Sequence, residues 1–196
     1  MRFSTDRLRG VIDASGGLAS SNRYKILLPT LSGTVKPAGG TANDLVDRRD
    51  LSDLCTAAKI PGKNITTAER VIGMEQIKVA NGFNFQEVNL TFYMTNDYSA
   101  RTYFQEWMDC IVTPTPPFEA GFHENYAKSV TIYQLNKDKT GSVVFETELI
   151  KAYPISMSEI DLNNQAQTAG MELTVNFTYS NYLVKKQDQI DRFDLL

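Results

Sequence analysis

Met171-Glu172-Leu173-Thr174-Val175-Asn176-Phe177-Thr178-Tyr179-Ser180-Asn181-Tyr182 is the stretch that decides the fold. Met171, Leu173, Val175, Phe177 and Tyr179 alternate with Glu172, Thr174, Asn176, Thr178 and Ser180. A period of two puts the first set on one side of a strand and the second on the other. The spacing predicts one long strand from Met171 to Tyr182, in a sheet with a dry face and a wet face. Phe83 to Met94 reads the same way. Val88, Leu90, Phe92 and Met94 share a face, and Asn89, Thr91 and Tyr93 point away from it. Phe83 and Phe85 have the opposite parity, which predicts a bulge or twist near Gln86-Glu87.

Shorter strands are expected at Arg23 to Leu28, closed by Pro29, at Ala127 to Leu135, and at Val143 to Ala152, ended by Pro154. Leu51 to Ile60 reads as a strand-like segment stopped by Pro61-Gly62. Asn64 to Val79 carries Ile65, Thr66, Thr67, Val71, Ile72, Ile77 and Val79 around Gly73, the composition of a hairpin. Asn81-Gly82 is a tight-turn signal. Leu31 to Asp50, rich in Gly, Pro, Asp and Asn, reads as a surface excursion. Ile155 to Gly170 reads as a connection. A short helix from Thr5 to Ile12 and a flexible arm are both open for the N-terminal residues.

One further helix is expected from about Tyr98 to Ile111. Phe104, Trp107, Met108 and Ile111 fall at i, i+3, i+4 and i+7, one apolar stripe. Asn96 or Asp97 is the expected N-cap. Strands, one helix and then strands, joined by short connections, define the expected fold class. It is mainly β, an antiparallel β-sandwich or barrel with one flanking α-helix at residues 98–111. The expected organisation is an N-terminal arm over 1–21, a β domain over 22–184 with the 31–50 excursion, and a charged tail over 185–196.

The 196 residues suffice for one self-supporting core. A net charge of −3 and a pI of about 5.2 argue against a protein that grips nucleic acid, which needs clustered Lys and Arg. No apolar run approaches the roughly 20 residues of a membrane span. Met1 to Leu18 has arginines but no apolar core of a secretory signal, so synthesis without export is expected.

Chemistry is sparse. His123 is the one histidine, so a multi-histidine metal centre is excluded and any catalytic triad would have to use it. A loop or contact histidine is the simpler reading. Cys55, among small apolar neighbours, and Cys110, near a helix C-terminus that disfavours a thiolate, read as inert thiols. Glu146 and Glu148 lie two apart on one strand face, where a glycosidase needs two acids across a cleft. They read as solvated surface, as do Glu159 and Asp161. Tyr93, Tyr133 and Tyr179 lack the basic groove of a stacking platform for single strands. No catalytic residue, metal site or cofactor is expected.

Several landmarks nevertheless follow one another in a recognisable order. Asn22-Arg23-Tyr24-Lys25-Ile26 precedes Leu54-Cys55-Thr56-Ala57-Ala58-Lys59-Ile60-Pro61-Gly62. Val88-Asn89-Leu90-Thr91-Phe92 leads through Asn96-Asp97 to Arg101, Phe104 and Trp107. Tyr126 to Ile132, then Ala152-Tyr153-Pro154-Ile155-Ser156 and the closing alternating strand complete the set. From Asn22 to Leu183 the chain resembles the tail tube proteins of contractile-tailed phages, within the tail tube and Hcp-like superfamily. The excursion and the final tail depart from that pattern.

The resemblance implies a structural subunit of a virion tail, made in the host bacterial cytoplasm. Copies would form stacked hexameric rings whose bore DNA crosses only transiently. Partners would be other copies, a contractile sheath protein, and baseplate or terminator proteins. Inter-ring or inter-subunit contacts would fall on the hairpin, at Ile65, Arg70, Val71, Ile72 and Ile77. A tube-initiator or baseplate ring, or the tube of a secretion system or extracellular contractile particle, stays open as an alternative. A monomeric β-sandwich binding module is the alternative of a different class.

Overall fold

In a computed structural model of the chain, residues 5–14, 17–31, 48–137, 141–160, 162 and 170–186 are described. The alternating stretch supplies β8 (Glu172–Thr178), with Leu173, Val175 and Phe177 buried. It runs antiparallel to β5 (Val88–Tyr93), where Val88, Leu90 and Phe92 face the same core. On its other side lies the second half of β7 (Val143–Met157). The expected single long strand is in fact two. The chain breaks at Tyr179-Ser180, and β9 (Asn181–Lys186) pairs with the first half of β7 instead. That first half also pairs β6 (Lys128–Leu135), which pairs β1 (Tyr24–Leu27). At the opposite end β2 (Cys55–Ala58) pairs β5.

Strand β7 is the spine that makes two layers out of one path of strands. Lys151 sits at φ 53°, and the β6–β7 register shifts between Lys128 and Val130. A residue in the left-handed region within a shifted ladder bends and twists the strand, sending its halves into different sheets. Among the described residues the order β1-β6-β7-β8-β5-β2 is open at both ends. The fold is thus the antiparallel sandwich of the expected class, with no closed barrel.

Several boundaries differ from expectation. Pro154 does not end a strand. It is buried inside β7, opposite Phe177, where the register shifts before Ser156. A bulge tolerates a residue without an N–H. The segment from Leu51 begins as a helix, α2 (Arg48–Asp53), that buries Leu51 and Ser52 before β2 starts. The irregularity near Gln86-Glu87 is a complete break: β4 (Glu75–Phe85) ends there and β5 begins. Asn81-Gly82 makes no turn but lies within β4. Asn81 is the extra residue where the register shifts opposite Thr66 and Thr67. Lys185 and Lys186, expected in the tail, belong to β9, and Lys185 Nζ sits 3.1 Å from Glu146 and 3.7 Å from Glu148. The pair of glutamates is therefore ion-paired, and the Glu146 contact raises the Lys185 pKa. Most of the 31–50 excursion and all of 187–196 lie outside the described residues.

The helix α3 (Ser99–Ile111) seals the core. Its buried stripe is Ala100, Tyr103, Phe104 and Trp107, rotated from the expected one so that Met108 and Ile111 are only half-buried. Phe104 lies tilted against Phe92 at 5.0 Å, and Trp107 meets Phe177 edge-on at 5.7 Å. Two aromatics of the stripe keep their polar ends bonded as burial requires. Trp107 Nε1 donates to the Tyr126 carbonyl at 2.9 Å, and the Tyr103 hydroxyl donates to Pro29 at 2.6 Å. Neither Asn96 nor Asp97 caps the helix. Tyr98 holds that position at φ 55° without a side-chain bond. The Asp97 carboxylate instead accepts from the Thr95 hydroxyl, which lowers its pKa.

Candidate assembly interface

The groups able to do chemistry are scattered. His123 opens a one-turn helix, α4 (His123–Tyr126), exposed, its ring edge-on to Tyr126 and Tyr153. Burial pushes the Cys55 thiol up to about 11. Burial also raises Cys110, helped by Asp109 and Glu106, and its Sγ donates to the Glu106 carbonyl at 3.0 Å. Neither is a thiolate at neutral pH. Tyr179 is buried with its hydroxyl on the Gln86 carbonyl, while Tyr93 is half exposed in another strand. Asp161 lies outside the described residues. Among the described residues no three His, Cys, Asp or Glu gather as a metal site.

What stands out is a surface. The hairpin of β3 (Lys63–Ile72) and β4 turns at Gly73, whose φ of 67° suits glycine. It forms a sheet of its own. Ile65, Val71, Ile77, Val79 and Phe83 are all exposed, between 41% and 66%. Arg70 is exposed beside them, and Ile72 ends β3 with its side chain outside the described residues. Phe85 packs on the body, edge-on to Tyr182 at 5.3 Å and tilted on Tyr179 at 5.7 Å.

The shift at Asn81 gives the hairpin two different faces. In β3, side chains alternate without interruption, so Ile65, Thr67, Glu69 and Val71 share one face. Their partners are Phe83, Ala80, Lys78 and Gln76. The other face carries Ala68 and Arg70 opposite Val79 and Ile77. The extra residue therefore moves Phe83 away from the face of Ile77 and Val79. One apolar patch, Ile65 with Phe83, lies near the body, and Lys63 Nζ sits 4.8 Å from the centre of the Phe83 ring. A second, Ala68 with Ile77 and Val79, lies farther out on the reverse side. Sequence reading placed Ile65, Arg70, Val71, Ile72 and Ile77 on one hairpin, as they are, but did not separate them. It missed Phe83 and Val79, and the opposite parity of Phe83 was the available signal.

The outer faces of the sheets differ in character. Over β5 and β8 the outward residues form an Asn and Thr ladder that ends at Glu172: Asn89 pairs Asn176, Thr91 Oγ1 lies 3.1 Å from Thr174 Oγ1, and Tyr93 pairs Glu172. Over β1, β6, β7 and β9 one row runs Lys25, Tyr133, Glu146, Lys185.

A family model described as phage tail tube protein matches residues 19–185. The chain belongs to the phage tail tube protein family. The match opens after the first helix, α1 (Thr5–Ala14), and closes inside β9. Among solved structures, a chain of the sheath-tube complex of an extracellular contractile injection system, PVC, in the extended state, is similar at 10% identity with a TM-score of 0.58. The alignment covers 94% of this chain and 99% of that one. A chain of the anti-feeding prophage cap, which terminates the tube, gives 13% identity and a TM-score of 0.57, covering 86% and 91%. A chain of the anti-feeding prophage baseplate gives 12% and 0.56, covering 87% and 97%. These likenesses establish the fold. No curated protein matches the chain. As a member of the tail tube family it is a structural protein and not an enzyme.

Proposed function

We propose that this tail tube family protein closes into homohexameric rings that stack into a tube inside a contractile sheath. The bore then conducts DNA during ejection. The observation that carries this reading is the β3–β4 hairpin, whose apolar residues are left in water by the single chain. Exposed apolar patches on a soluble protein mark contact surfaces. Ile65 and Val71 on one face, Ile77 and Arg70 on the other, and Ile72 at the end of β3 meet neighbouring subunits in the ring or in the next ring. The open strands β1 and β2 support the same reading, since unpaired strand edges are a hazard that assembly removes. The uncharged Asn and Thr ladder over β5 and β8 suits the bore, because a surface without cations does not retain a polyanion. Sheath, baseplate and terminator proteins are the partners, the tail of the particle is the location, and the subunit is made in the host cytoplasm. Residues 1–21 and those after Lys186 flank the tube-forming domain as arm and tail.

Negative-stain microscopy of the purified chain at high concentration tests this. Six-fold rings and tubes are expected, and a persistent monomer overturns the proposal. The same fold in a tube-terminating cap and a baseplate favours one second reading, a ring that begins or ends a tube. It predicts single rings that never lengthen.

A further inference from the structure

The hairpin is dry on one side near the body and on the opposite side farther out. In its inner half Ile65 and Phe83 face one way, while Asn64, Thr66 and Asn84 face the other. In its outer half the order is inverted. Glu69, Lys78 and Gln76 continue the side of Ile65, with Lys78 Nζ 4.0 Å from Glu69. Ala68, Ile77 and Val79 take the reverse side, beside Arg70. The change falls at Asn81, the extra residue where the β3–β4 register shifts. One additional residue in a strand turns everything beyond it to the other side.

Ile65, Phe83, Ile77 and Val79 are all exposed, so the body of the same chain covers neither patch. Ile65 and Ala68 are three residues apart, which sets the patches about 10 Å apart along the ribbon and on opposite sides of it. A flat partner laid on either side covers one patch and leaves the other in water. At the height of the uncovered patch it would also press on amide or charged side chains and desolvate them. Two bodies, staggered along the hairpin, cover both patches without that cost. Each patch offers only two or three apolar side chains. That is far below the roughly 800 Å² per partner of a stable pairwise interface. Contacts this small hold only where an assembly repeats them, and another copy of the chain is the partner that every hairpin meets in equal number.

We propose that the hairpin is wedged between two further copies of the chain. One copy covers Ile65 and Phe83 near the body, and the other covers Ala68, Ile77 and Val79 on the reverse side farther out. Asn81 sets which neighbour meets which patch. The inference rests on the tube reading for the repetition that makes small contacts strong.

The test uses the full chain. Protein with Phe83 and Val79 both replaced by the photo-crosslinker benzoylphenylalanine is diluted into excess unmodified chain, brought to assembly conditions and irradiated. A covalent trimer is expected from it, and covalent dimers from protein replaced at Phe83 alone or at Val79 alone. Rings or tubes in micrographs, with dimer as the largest product of the doubly replaced chain, overturn the two-sided contact and leave the tube reading standing. Trimer from protein that makes no rings supports the two-sided contact and fails the tube reading. Neither rings nor linked products fails both. Separately, one threonine inserted between Thr66 and Thr67 stands opposite Asn81 and restores an unbroken ladder. Ile65 and Phe83 then share the side of Ile77 and Val79. Monomer stability should hold, and the concentration needed for assembly should rise by about tenfold or more. Deleting Asn81 instead keeps every pair as it stands, and assembly should persist. Assembly unchanged by the insertion, or lost in both variants, overturns the division between two neighbours.

Discussion

Phe104 and Phe83 are the same residue in two situations. Phe104 is fully buried, locked between Phe92 and Phe177 by a helix laid over the sheet. Phe83 is 61% exposed on a two-stranded sheet. The sandwich completes its core within one chain; the hairpin carries comparable apolar residues and completes nothing. Apolar surface at both places has the same tendency to leave water, worth about 25 cal/mol per Å². The core meets that tendency in folding. The hairpin leaves it for association.

Substitutions should separate the two regions, in decreasing order of effect on folding. Trp107→Ala removes the centre of the α3 stripe and its bond to Tyr126, and should cost about 3–5 kcal/mol in chemical denaturation. A cost below about 1 kcal/mol would mean that α3 does not seal the core. Gly121→Ala would place a Cβ 2.5 Å from the Cys110 carbonyl oxygen, backbone against backbone at the end of α3. A loss of about 1–3 kcal/mol is expected by the same measurement. Thr147→Val should go the other way by up to about 1 kcal/mol, since Thr147 Oγ1 is buried without a hydrogen-bond partner.

The core should also have an alkaline limit. Burial raises Tyr24 from 10.0 to about 12 and Cys55 from 9.0 to about 11, and the Tyr24 hydroxyl donates to the Cys55 carbonyl. Between about pH 9 and 12 the folded chain keeps protons that the unfolded chain has released. Stability therefore falls as pH rises through that window and is fully present below it. Tyr24→Phe with Cys55→Ala should flatten that fall in denaturation curves taken across it.

The hairpin should show the opposite behaviour. Ile65→Asp, Val71→Asp and Ile77→Asp should each change monomer stability by less than about 0.5 kcal/mol. Each that lies at a contact should abolish rings in micrographs. If Ile65→Asp and Ile77→Asp differ in this, the face that docks is identified; if neither matters, the hairpin is not an interface.

Much of the fold was legible because burial leaves a period in the sequence. Leu173, Val175 and Phe177 opposite Val88, Leu90 and Phe92 were readable, as was a helix near 98–111. The hairpin around Gly73 was readable from its β-branched residues and its glycine. Its solvent exposure was not, because the same residues would serve an internal strand. The helix stripe was misplaced by one turn, since Tyr103 and Ala100 compete with Met108 and Ile111 for the same side and only the facing sheet chooses.

The residue order by itself determined the alternating strands and the ordered landmarks of a tail tube family member. Local preference acts over a few residues, and those features are local. Tertiary structure alone decided that β7 bends at Lys151 to serve two sheets, that Pro154 lies inside a strand, and that Asn81-Gly82 makes a bulge. It also decided that Glu146 and Glu148 meet Lys185. Each of these depends on a partner strand distant in the chain, and pairing register is an energy shared between two segments that neither carries alone.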